Sequence, residues 1–444
     1  MRVGVIGAGV TGLTAAYELS KKGHHVIVYE RAPFLGGQAS TFDVGGGRLE
    51  RGYHHLFTSD TDIVDLMGEI GLGNKMRWYD SKVGTLYDGK IYNFVTPMDL
   101  LKFKPLSILS RIRLGLSTLA IRGIKDWKSL ETEAAADWLR RKAGQEAYDI
   151  FWEPMLRGKF GDEYFQEIGM PWVWGKIATR FASRGKGLSK EMLGYPGGSF
   201  GEIFDCLVDR IREHGSLVCT GTEVTKISTS NGFLDGLEVK LVDQGTKRQE
   251  NFDAVIATTQ SFIFTRKLLP ELPEEYVAKF EKTRYLSAVL LILILDRPLS
   301  HIYWLNVADR SIPFVGVIEH TNMVPTELYG GKHIVYLTNY LTRENPLYHL
   351  NKTQLLKEYV PHLRHINQNF DPSWIEETYL HHVDAAQPII GTHYSQLLPE
   401  HKMPIKGVYL ANTTQVYPED RGTNYSVRMG RKVARIVDSE HSPT

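Results

Sequence analysis

The amino-terminal hydrophobic pattern predicts a strand, a helix and a second strand within the first 30 residues. The run Arg2–Ile6 is short, apolar and β-branched, which is typical of a buried parallel strand. Apolar positions with helical spacing follow at Leu13, Ala16, Tyr17 and Leu19. Gly23 ends this helix, and residues 26–29 form a second β-branched run. The order predicts a strand–helix–strand unit at the start of the chain.

The remaining pattern alternates helices with strands. Amphipathic helices are predicted over residues 60–70, 200–214 and 352–366, with a last helix reaching Ile436. Strands are predicted over 216–219, 222–227, 237–241, 253–258, 285–295, 313–319, 333–338 and 407–412. The longest nearly apolar run, Leu286–Leu295, is shorter than the about 20 residues that a membrane-spanning helix needs. We therefore interpret it as a buried strand.

A glycine array follows the first strand, and an acid closes the second. The array has the form G-x-G-x-x-G: the first glycine allows a tight turn, the second a close approach to a pyrophosphate, and the third close helix packing. Helix-start N–H groups favour phosphate, and the acid accepts hydrogen bonds from a ribose. A dinucleotide is thus predicted at Gly7, Gly9, Val10, Thr11, Gly12 and Glu30.

A second glycine pair lies six residues beyond the acid, where it lets the main chain run beside an extended cofactor. With the first array, this stretch resembles the flavin-containing amine oxidase superfamily, which includes protoporphyrinogen oxidases and phytoene-type desaturases. The resemblance implies FAD contacts at Arg31, Gly36, Gly37, Gln38, Ala39 and Ser40. Gln38 departs from the family, which usually has arginine there, and this leaves the substrate open.

The resemblance implies an α/β fold: a two-domain, Rossmann-like FAD-binding fold with an interleaved substrate domain of mixed sheet and helices. The FAD-binding domain is expected over 1–85, 191–260 and 386–444, and the substrate domain over 86–190 and 261–385. Further FAD contacts are implied at Val224, Asn412, Gly422 and Thr423. Asn412 stands where the family commonly has an acid. FAD is expected to be non-covalent, because neither cysteine matches the flavin-linking position.

Three residues are candidates for catalysis. His54 and His55 lie in a segment that passes the flavin ring in the resembled superfamily, and imidazole suits proton transfer near neutral pH. The alternative is that one of them is a packed or solvent-facing histidine. Arg421 is expected beside the ring, where it binds substrate or stabilises reduced flavin, unless it forms a surface ion pair with Glu419 or Asp420.

Basic and aromatic residues mark the predicted substrate side. The stretch 132–190 is predicted to be helical and aromatic, and its basic residues either bind an anionic group or form a solvated face: Arg157, Lys159, Lys176 and Arg180. Tyr336, Asn339 and Tyr340 are further pocket candidates.

Residues 96–125 combine apolar positions with many lysines and arginines and few acids. Such amphipathic helices either pack on the substrate domain with a basic face toward water, which is the commoner arrangement, or lie on an anionic membrane.

Composition narrows the class of protein. The 444 residues are 42% hydrophobic and 23% charged, with a formal net charge of +1. This balance disfavours nucleic acid as a partner. Cys206 and Cys219 lack metal-site spacing and are expected to be buried thiols in a reducing compartment. Since the first strand begins at residue 2, we expect no signal peptide. We therefore expect the protein to be cytoplasmic, with at most a peripheral contact with the inner face of the membrane.

These features predict an FAD-dependent oxidoreductase that removes hydride from a large, lipophilic substrate. No second glycine array indicates a nicotinamide cofactor, so oxygen or a quinone is the expected electron acceptor. Two alternatives stay open: a flavin-dependent sugar-nucleotide mutase similar to UDP-galactopyranose mutase, and a flavoprotein without turnover. The sequence leaves the oligomeric state open.

Overall fold

The computed structural model describes residues 1–184 and 191–441. Residues 185–190, which end the predicted helical stretch 132–190, lie outside the described residues.

The strands are β1 (Arg2–Ile6), β2 (His25–Tyr29), β3 (Thr41–Val44), β4 (Gly47–Glu50), β5 (Leu56–Phe57), β6 (Met76–Asp80), β7 (Val83–Tyr87), β8 (Lys90–Asn93), β9 (Met192–Pro196), β10 (Leu217–Cys219), β11 (Thr222–Ser230), β12 (Phe233–Leu241), β13 (Lys247–Asn251), β14 (Ala254–Ala257), β15 (Tyr285–Leu295), β16 (Trp304–Val307), β17 (Gly316–Glu319), β18 (His333–Leu341), β19 (Ile375–Pro388) and β20 (Val408–Leu410). The helices are α1 (Val10–Ser20), α2 (Thr61–Glu69), α3 (Pro97–Lys102), α4 (Ile108–Gly123), α5 (Ala135–Ala143), α6 (Gln145–Ala147), α7 (Glu153–Tyr164), α8 (Met170–Ala182), α9 (Ser199–Glu213), α10 (Ser261–Ile263), α11 (Glu274–Glu281), α12 (Lys352–Tyr359) and α13 (Thr423–His441).

A five-stranded parallel sheet has the order β10-β2-β1-β14-β20. β1 pairs with β2 from Arg2↔His25 to Ile6↔Tyr29, which confirms the predicted strand–helix–strand unit. β1, β2, β14 and β20 are buried almost throughout, as expected for a parallel sheet that is covered on both faces, whereas the edge strand β10 is partly exposed. Beside it lies the antiparallel sheet β11-β12-β13.

A seven-stranded mixed sheet has the order β19-β15-β18-β17-β16-β7-β8. Its centre includes β15, which is buried almost throughout, so the predicted strand 285–295 is confirmed. The predicted strand 313–319 is shorter, Gly316–Glu319, because Pro313 has no N–H to donate to the sheet. The domain boundaries given above stay a prediction.

The two ends of the chain meet. α13 packs on α1 so closely that a Cβ at Gly430 would lie 2.7 Å from the Thr11 carbonyl oxygen. Ion pairs join the same helices, with Arg431 Nε 3.2 Å from Glu18 Oε1. The carboxyl-terminal helix α13 therefore lies against the start of α1, next to the glycine turn that follows β1.

Two sequence expectations concern solvent and membrane. Cys206 and Cys219 are free thiols but only half-buried, so the expectation of buried thiols is wrong: Cys206 lies on α9 at the margin of the core, and Cys219 ends the edge strand β10. Within residues 1–184 and 191–441, no helix is both long enough and apolar enough to cross a bilayer.

Candidate functional site

The carboxyl ends of four parallel strands meet at one edge of the five-stranded sheet. Gly7 follows β1, Glu30 follows β2, Thr258 lies just beyond β14, and Ala411 follows β20. In open α/β sheets, ligands bind outside the carboxyl ends of the strands. This edge is therefore the candidate nucleotide site.

The glycines of the first turn are required for different reasons. Gly7 has a φ of +105°, and a Cβ there would lie 2.5 Å from Thr258 Oγ1. A Cβ at Gly12 would overlap the Gly7 carbonyl oxygen. Gly9, in contrast, has a φ of −75° that any residue adopts, and its Cβ would meet nothing nearer than Gly37 Cα at 3.8 Å. The packing of the protein explains Gly7 and Gly12, whereas the bare backbone at Gly9 fits the close approach of a ligand.

The start of α1 offers N–H groups to an anion. Gly9 is the N-cap, and no described side chain caps the helix or adds an acid to its first turn. The N–H groups of Val10, Thr11 and Gly12 therefore lack the usual carboxylate or hydroxyl partner at a helix start. Such a terminus favours phosphate through these groups and the helix dipole.

Glu30 is held in place by the backbone. Its Oε2 accepts a hydrogen bond from the Ala8 N–H at 2.9 Å, and its Oε1 accepts one from the Ala32 N–H at 2.8 Å. Each carboxylate oxygen has further acceptor capacity, so a ribose diol can still bind. β11 begins beside it, because the Thr222 N–H donates to the Glu30 carbonyl oxygen. Val224, two residues on, is buried in that strand.

The second glycine pair runs alongside the first turn. The Gly36 N–H donates to the Ala8 carbonyl oxygen at 2.9 Å, and Gly9 and Gly36 form a β-bridge. Both glycines of the pair have positive φ, +97° at Gly36 and +58° at Gly37. A Cβ at Gly37 would lie 3.1 Å from Gly9 Cα. The two segments thus form a narrow cleft whose walls are backbone.

The remaining residues of this stretch differ in exposure. Ala39 and Ser40 are buried, whereas Arg31 is exposed. The Gln38 amide donates to the Ala385 carbonyl oxygen at 3.4 Å. Gln38 therefore joins the cleft to β19 of the seven-stranded sheet.

The carboxyl-terminal residues approach the same edge. Gly422 directly precedes α13, and Thr423 is its buried first residue. Asn412 is already bonded within the protein: its side-chain oxygen accepts from the Thr414 N–H at 3.0 Å, and its amide donates to the Thr259 carbonyl oxygen at 2.9 Å. Asn412 thus shapes the loop after β20 where an acid was expected.

His54 and His55 are enclosed by protein and neutral. Burial lowers the pKa of His54 to about 4, although its ring bonds the Gly52 carbonyl at 2.6 Å. Burial also lowers the pKa of His55 to about 3, assisted by Arg180 and Lys176. The His55 ring lies 3.0 Å from the Tyr303 hydroxyl through Nδ1. Both imidazoles are therefore unprotonated near neutral pH, and their catalytic role stays a prediction.

Arg421 points to two tyrosines rather than to the surface. It donates from Nη2 to the Tyr340 hydroxyl and from Nε to Gln387 Oε1, each at 3.0 Å. The Tyr340 and Tyr53 hydroxyls are 3.1 Å apart. Burial tends to raise the pKa of Tyr340, but Lys159 and Arg421 outweigh it and leave that pKa below the ordinary value of 10. The arrangement holds a phenol that gives up its proton readily.

Asp420 receives two lysines from neighbouring helices. Lys176 on α8 lies 2.8 Å from its Oδ2, and Lys159 on α7 lies 3.3 Å from the same oxygen. Trp172 donates from Nε1 to Oδ1 at 3.3 Å. Burial opposes ionisation, but the lysines and Arg421 hold the pKa of this carboxyl far below its usual range. Asp420 thus pairs with the two lysines, and the surface ion pair with Arg421 that the sequence left open is not observed.

Sequence reasoning missed part of this arrangement. Tyr53 and Gln387 were not singled out, and Asp420 was considered only as a surface ion-pair partner of Arg421. Tyr53 is adjacent to His54 and Asp420 to Arg421, whereas no candidate lies near Gln387 in the sequence. Their role depends on α7, α8 and β18 meeting the loop before α13, and no local pattern encodes that meeting. The usable sequence signal for Tyr53 and Asp420 was that each lies next to a candidate residue, His54 or Arg421.

Comparison with known proteins identifies the family. The sequence profile of the flavin containing amine oxidoreductase family matches residues 10–437. Relatives include the mitochondrial protoporphyrinogen oxidase of Nicotiana tabacum, 28% identical over 193 residues (41% of this chain, 37% of that protein). The zeta-carotene desaturase of Zea mays is 28% identical over 181 residues (35% of this chain, 31% of that protein). The alignments thus span only about a third of each relative.

Solved structures show the same fold. An oxidoreductase from Methanosarcina mazei superposes with a TM-score of 0.73 at 21% identity, covering 98% of this chain and 100% of that one. Reduced UDP-galactopyranose mutase superposes with a TM-score of 0.76 at 16% identity, covering 100% and 96%. These likenesses confirm the predicted α/β fold class, and the profile match confirms the resemblance. The chain belongs to the flavin-containing amine oxidoreductase family.

Proposed function

We propose that this protein is an oxidoreductase that binds FAD non-covalently and removes hydride from a large substrate with a lipophilic part. The observation that carries the proposal is the occurrence of two features: a backbone cleft open at Gly9, and a hydrogen-bonded pair of the half-buried Arg421 and the buried Tyr340 beside the start of α13, the helix that packs on α1. When bound, FAD supplies the hydride acceptor, and the protein supplies orientation and charge.

The residues that would hold FAD follow from the geometry. Glu30 would take the ribose, the start of α1 and the Gly9–Gly37 cleft would take the pyrophosphate, and Gly422 with Thr423 would donate to the flavin pyrimidine edge. Val224, Gln38 and Asn412 complete the predicted cofactor-binding set.

Tyr340 is the proposed proton acceptor. Loss of hydride from a carbon next to nitrogen or oxygen leaves a proton on the heteroatom, and a base must accept it. The pKa of Tyr340 is lowered by Lys159 and Arg421, so its phenolate is accessible closer to neutral pH than that of an ordinary tyrosine. Tyr53 bonds the phenol and orients it. His54 and His55 remain alternative acceptors, since both imidazoles are neutral.

An anaerobic titration tests the proposed activity. Porphyrinogens, polyenes and amines are added in turn to the FAD-loaded protein, and the flavin absorbance is followed. We expect one of these classes to bleach the flavin, and oxygen or a quinone to restore the colour. FAD-loaded protein that stays oxidised with every class would contradict the proposal.

The membrane is the proposed source of a lipophilic substrate. α4 is apolar on two faces: Leu114 and Ile121 are buried, whereas Ile108, Leu109 and Leu116 are 71%, 75% and 62% exposed. The exposed residues occupy one stripe along the helix, and Met98 and Leu101 of α3 are 55% and 50% exposed. A helix face of this kind that is open to water marks an interaction surface.

Charge selects the occupant of this apolar stripe. The exposed cations around it are Lys102, Lys104, Arg113, Arg122 and Lys125. An amphipathic helix with such flanks binds anionic lipid surfaces. We therefore propose peripheral contact of α3 and α4 with an anionic membrane, on the cytoplasmic face.

Vesicle binding tests this contact. The variant Leu109→Ser/Leu116→Ser should bind vesicles of anionic phospholipid several-fold more weakly than the wild type, because apolar area is lost. Leu217→Ser/Leu328→Ser is the matched control, since both leucines are exposed elsewhere, at 50% and 42%. Wild-type protein that stays in the supernatant, or equal losses in both variants, would refute membrane contact.

A flavin-dependent mutase is the second candidate function. The observation that favours it is the positive charge at Lys159, Lys176 and Arg421, which suits a diphosphate. A mutase would interconvert a UDP-sugar only after chemical reduction of the flavin and would not be bleached by substrate. Protein that shows neither bleaching nor isomerisation would be the flavoprotein without turnover.

A further inference from the structure

Four cations converge between α7, α8 and the loop before α13. We call Lys159, Lys176, Arg180 and Arg421 the basic cluster. Among the described residues, two carboxylates form ion pairs with these cations: Asp420 pairs with both lysines, and Glu191 lies 3.3 Å from Arg180. Two positive charges therefore have no carboxylate in these pairs. The four side chains are only partly exposed, and charges withdrawn from water are ordinarily paired, so the surplus is costly for the empty protein.

The neighbouring groups respond to this surplus. Burial lowers the pKa of the Lys176 ammonium despite its pairing with Asp420, and Lys159 and Arg180 lower it further. A tyrosine phenol is ordinarily neutral near pH 7, but Lys159 and Arg421 lower the pKa of Tyr340. Both pKa values are thus lowered in part by an excess of positive potential, which a bound anion would reduce.

The lysines are enclosed but not sealed. Lys176 keeps 35% of its side chain accessible and Lys159 keeps 18%, although both reach Asp420, which is only 13% accessible. They share a single oxygen of Asp420, so each ammonium has further hydrogens to donate. The faces of Trp172 and Tyr340 lie 5.5 Å and 4.8 Å from the lysine nitrogens. The two ammonium groups, with hydrogens still to donate, therefore lie partly open to solvent beside two buried aromatic rings.

We propose that the basic cluster binds a doubly anionic oxyanion group of the substrate, a phosphate-type headgroup or a pair of carboxylates. This inference rests on the proposed function, and it narrows the substrate class to an amphiphile. The membrane that α3 and α4 contact would supply such an amphiphile, and its charged head would lie beside Lys159 and Lys176. Neutral hydrocarbons are poor substrates on this account, because they leave the surplus charge buried and uncompensated.

The test uses small anions with the FAD-loaded protein, so that the pyrophosphate cleft at Gly9 is already filled. Inorganic pyrophosphate, inorganic phosphate and glutarate are added separately, and two quantities are measured: the melting temperature and the ultraviolet titration of tyrosinate. We expect at least one anion to raise the melting temperature and to move the pKa of Tyr340 upward, toward its ordinary value. Pyrophosphate and glutarate separate a phosphate head from a dicarboxylate head.

Matched variants localise the effect. Lys159→Gln/Lys176→Gln should weaken binding of the effective anion at least tenfold, whereas Lys82→Gln/Lys90→Gln, at two exposed lysines, should not change it. If the first variant does not fold, the wild-type tyrosinate titration with and without anion decides alone. Equal affinity in both variants, or no response of the wild type to any of the three anions, overturns the proposal.

The outcome is separable from that of the proposed function. Protein that loads FAD and ignores all three anions refutes the subsite and leaves the redox proposal intact. Protein that does not load FAD refutes the redox proposal, and the two lysine variants still report on the subsite, since neither pair of residues lies in the cofactor cleft.

Discussion

The nucleotide end of the site and its substrate end are built in different ways. At the nucleotide end, backbone N–H groups, glycines and the carboxylate of Glu30 form a cleft with little charge. At the substrate end, buried side chains from distant segments bring together the basic cluster, Asp420 and Tyr340. A backbone site depends on spacing within one short segment, whereas a side-chain site depends on how remote helices pack. The predictions below test that division.

The largest effect is expected at the substrate end. Tyr340→Phe should lower turnover of a substrate that reduces the flavin by about 10²–10⁴-fold, the usual contribution of a positioned proton acceptor. In the wild type the rate should rise with pH until the phenol is ionised, at a pKa below 10, because only the phenolate accepts a proton. Stopped-flow flavin reduction across pH measures both effects.

The control for this variant is Tyr379→Phe, which removes a hydroxyl that bonds Glu377 at the surface. It should keep the wild-type pH profile and the tyrosinate that titrates early. If Tyr340→Phe also keeps both, the cluster does not acidify Tyr340.

A buried carboxyl that lacks such cations gives the contrast to Asp420. Glu50 accepts hydrogen bonds from the Phe200 N–H at 2.9 Å and the Tyr195 hydroxyl at 2.7 Å, and burial raises its pKa from 4.5 to about 7. The folded protein therefore keeps this proton between about pH 4.5 and 7, where the unfolded chain has released it. Stability should fall as the pH rises through this window.

Glu50→Gln has no proton to lose, so its decline in stability should be smaller by about 3 kcal/mol, at about 1.4 kcal/mol per pKa unit. Urea unfolding on the two sides of the window measures the difference. Glu274→Gln, at an exposed acid, should follow the wild type. Identical declines in wild type and Glu50→Gln would show that this carboxyl is ionised in the folded protein.

The smallest effects distinguish two glycines at the nucleotide end. Gly12→Ala should lower the free energy of unfolding by about 1–3 kcal/mol even without FAD, because the new Cβ overlaps the Gly7 carbonyl. Gly9→Ala should leave the apoprotein as stable as the wild type but raise the dissociation constant of FAD about tenfold, or about 1.4 kcal/mol.

Calorimetry of the apoproteins and fluorescence titration with FAD check this pair. A Gly9→Ala apoprotein that melts as early as Gly12→Ala would mean that the protein's own packing, and not a ligand, requires that glycine.

The sequence was informative where one segment suffices. Gly7, Gly9, Gly12 and Glu30 fall within one strand–helix–strand unit, and their positions follow from its geometry. The basic cluster was harder, because Lys159 comes from α7, Lys176 and Arg180 come from α8, and Arg421 comes from the loop before α13. Its partners Asp420 and Tyr340 come from that loop and from β18. Periodicity predicts which residues share a helix face, but not which loop that face meets.

The stripe on α4 shows the same limit in another form. Its mixture of apolar and basic residues fitted both a packed helix and a membrane helix. The structure shows that Leu114 and Ile121 pack against the protein, which leaves a second apolar face of α4 exposed.

The most direct test of this account is a titration of the purified wild-type protein with FAD. We predict that one FAD binds per chain, that denaturation releases it intact, and that Glu30→Gln weakens it. Protein that takes up no FAD, or that retains the flavin covalently after denaturation, would contradict the assignment of the cleft.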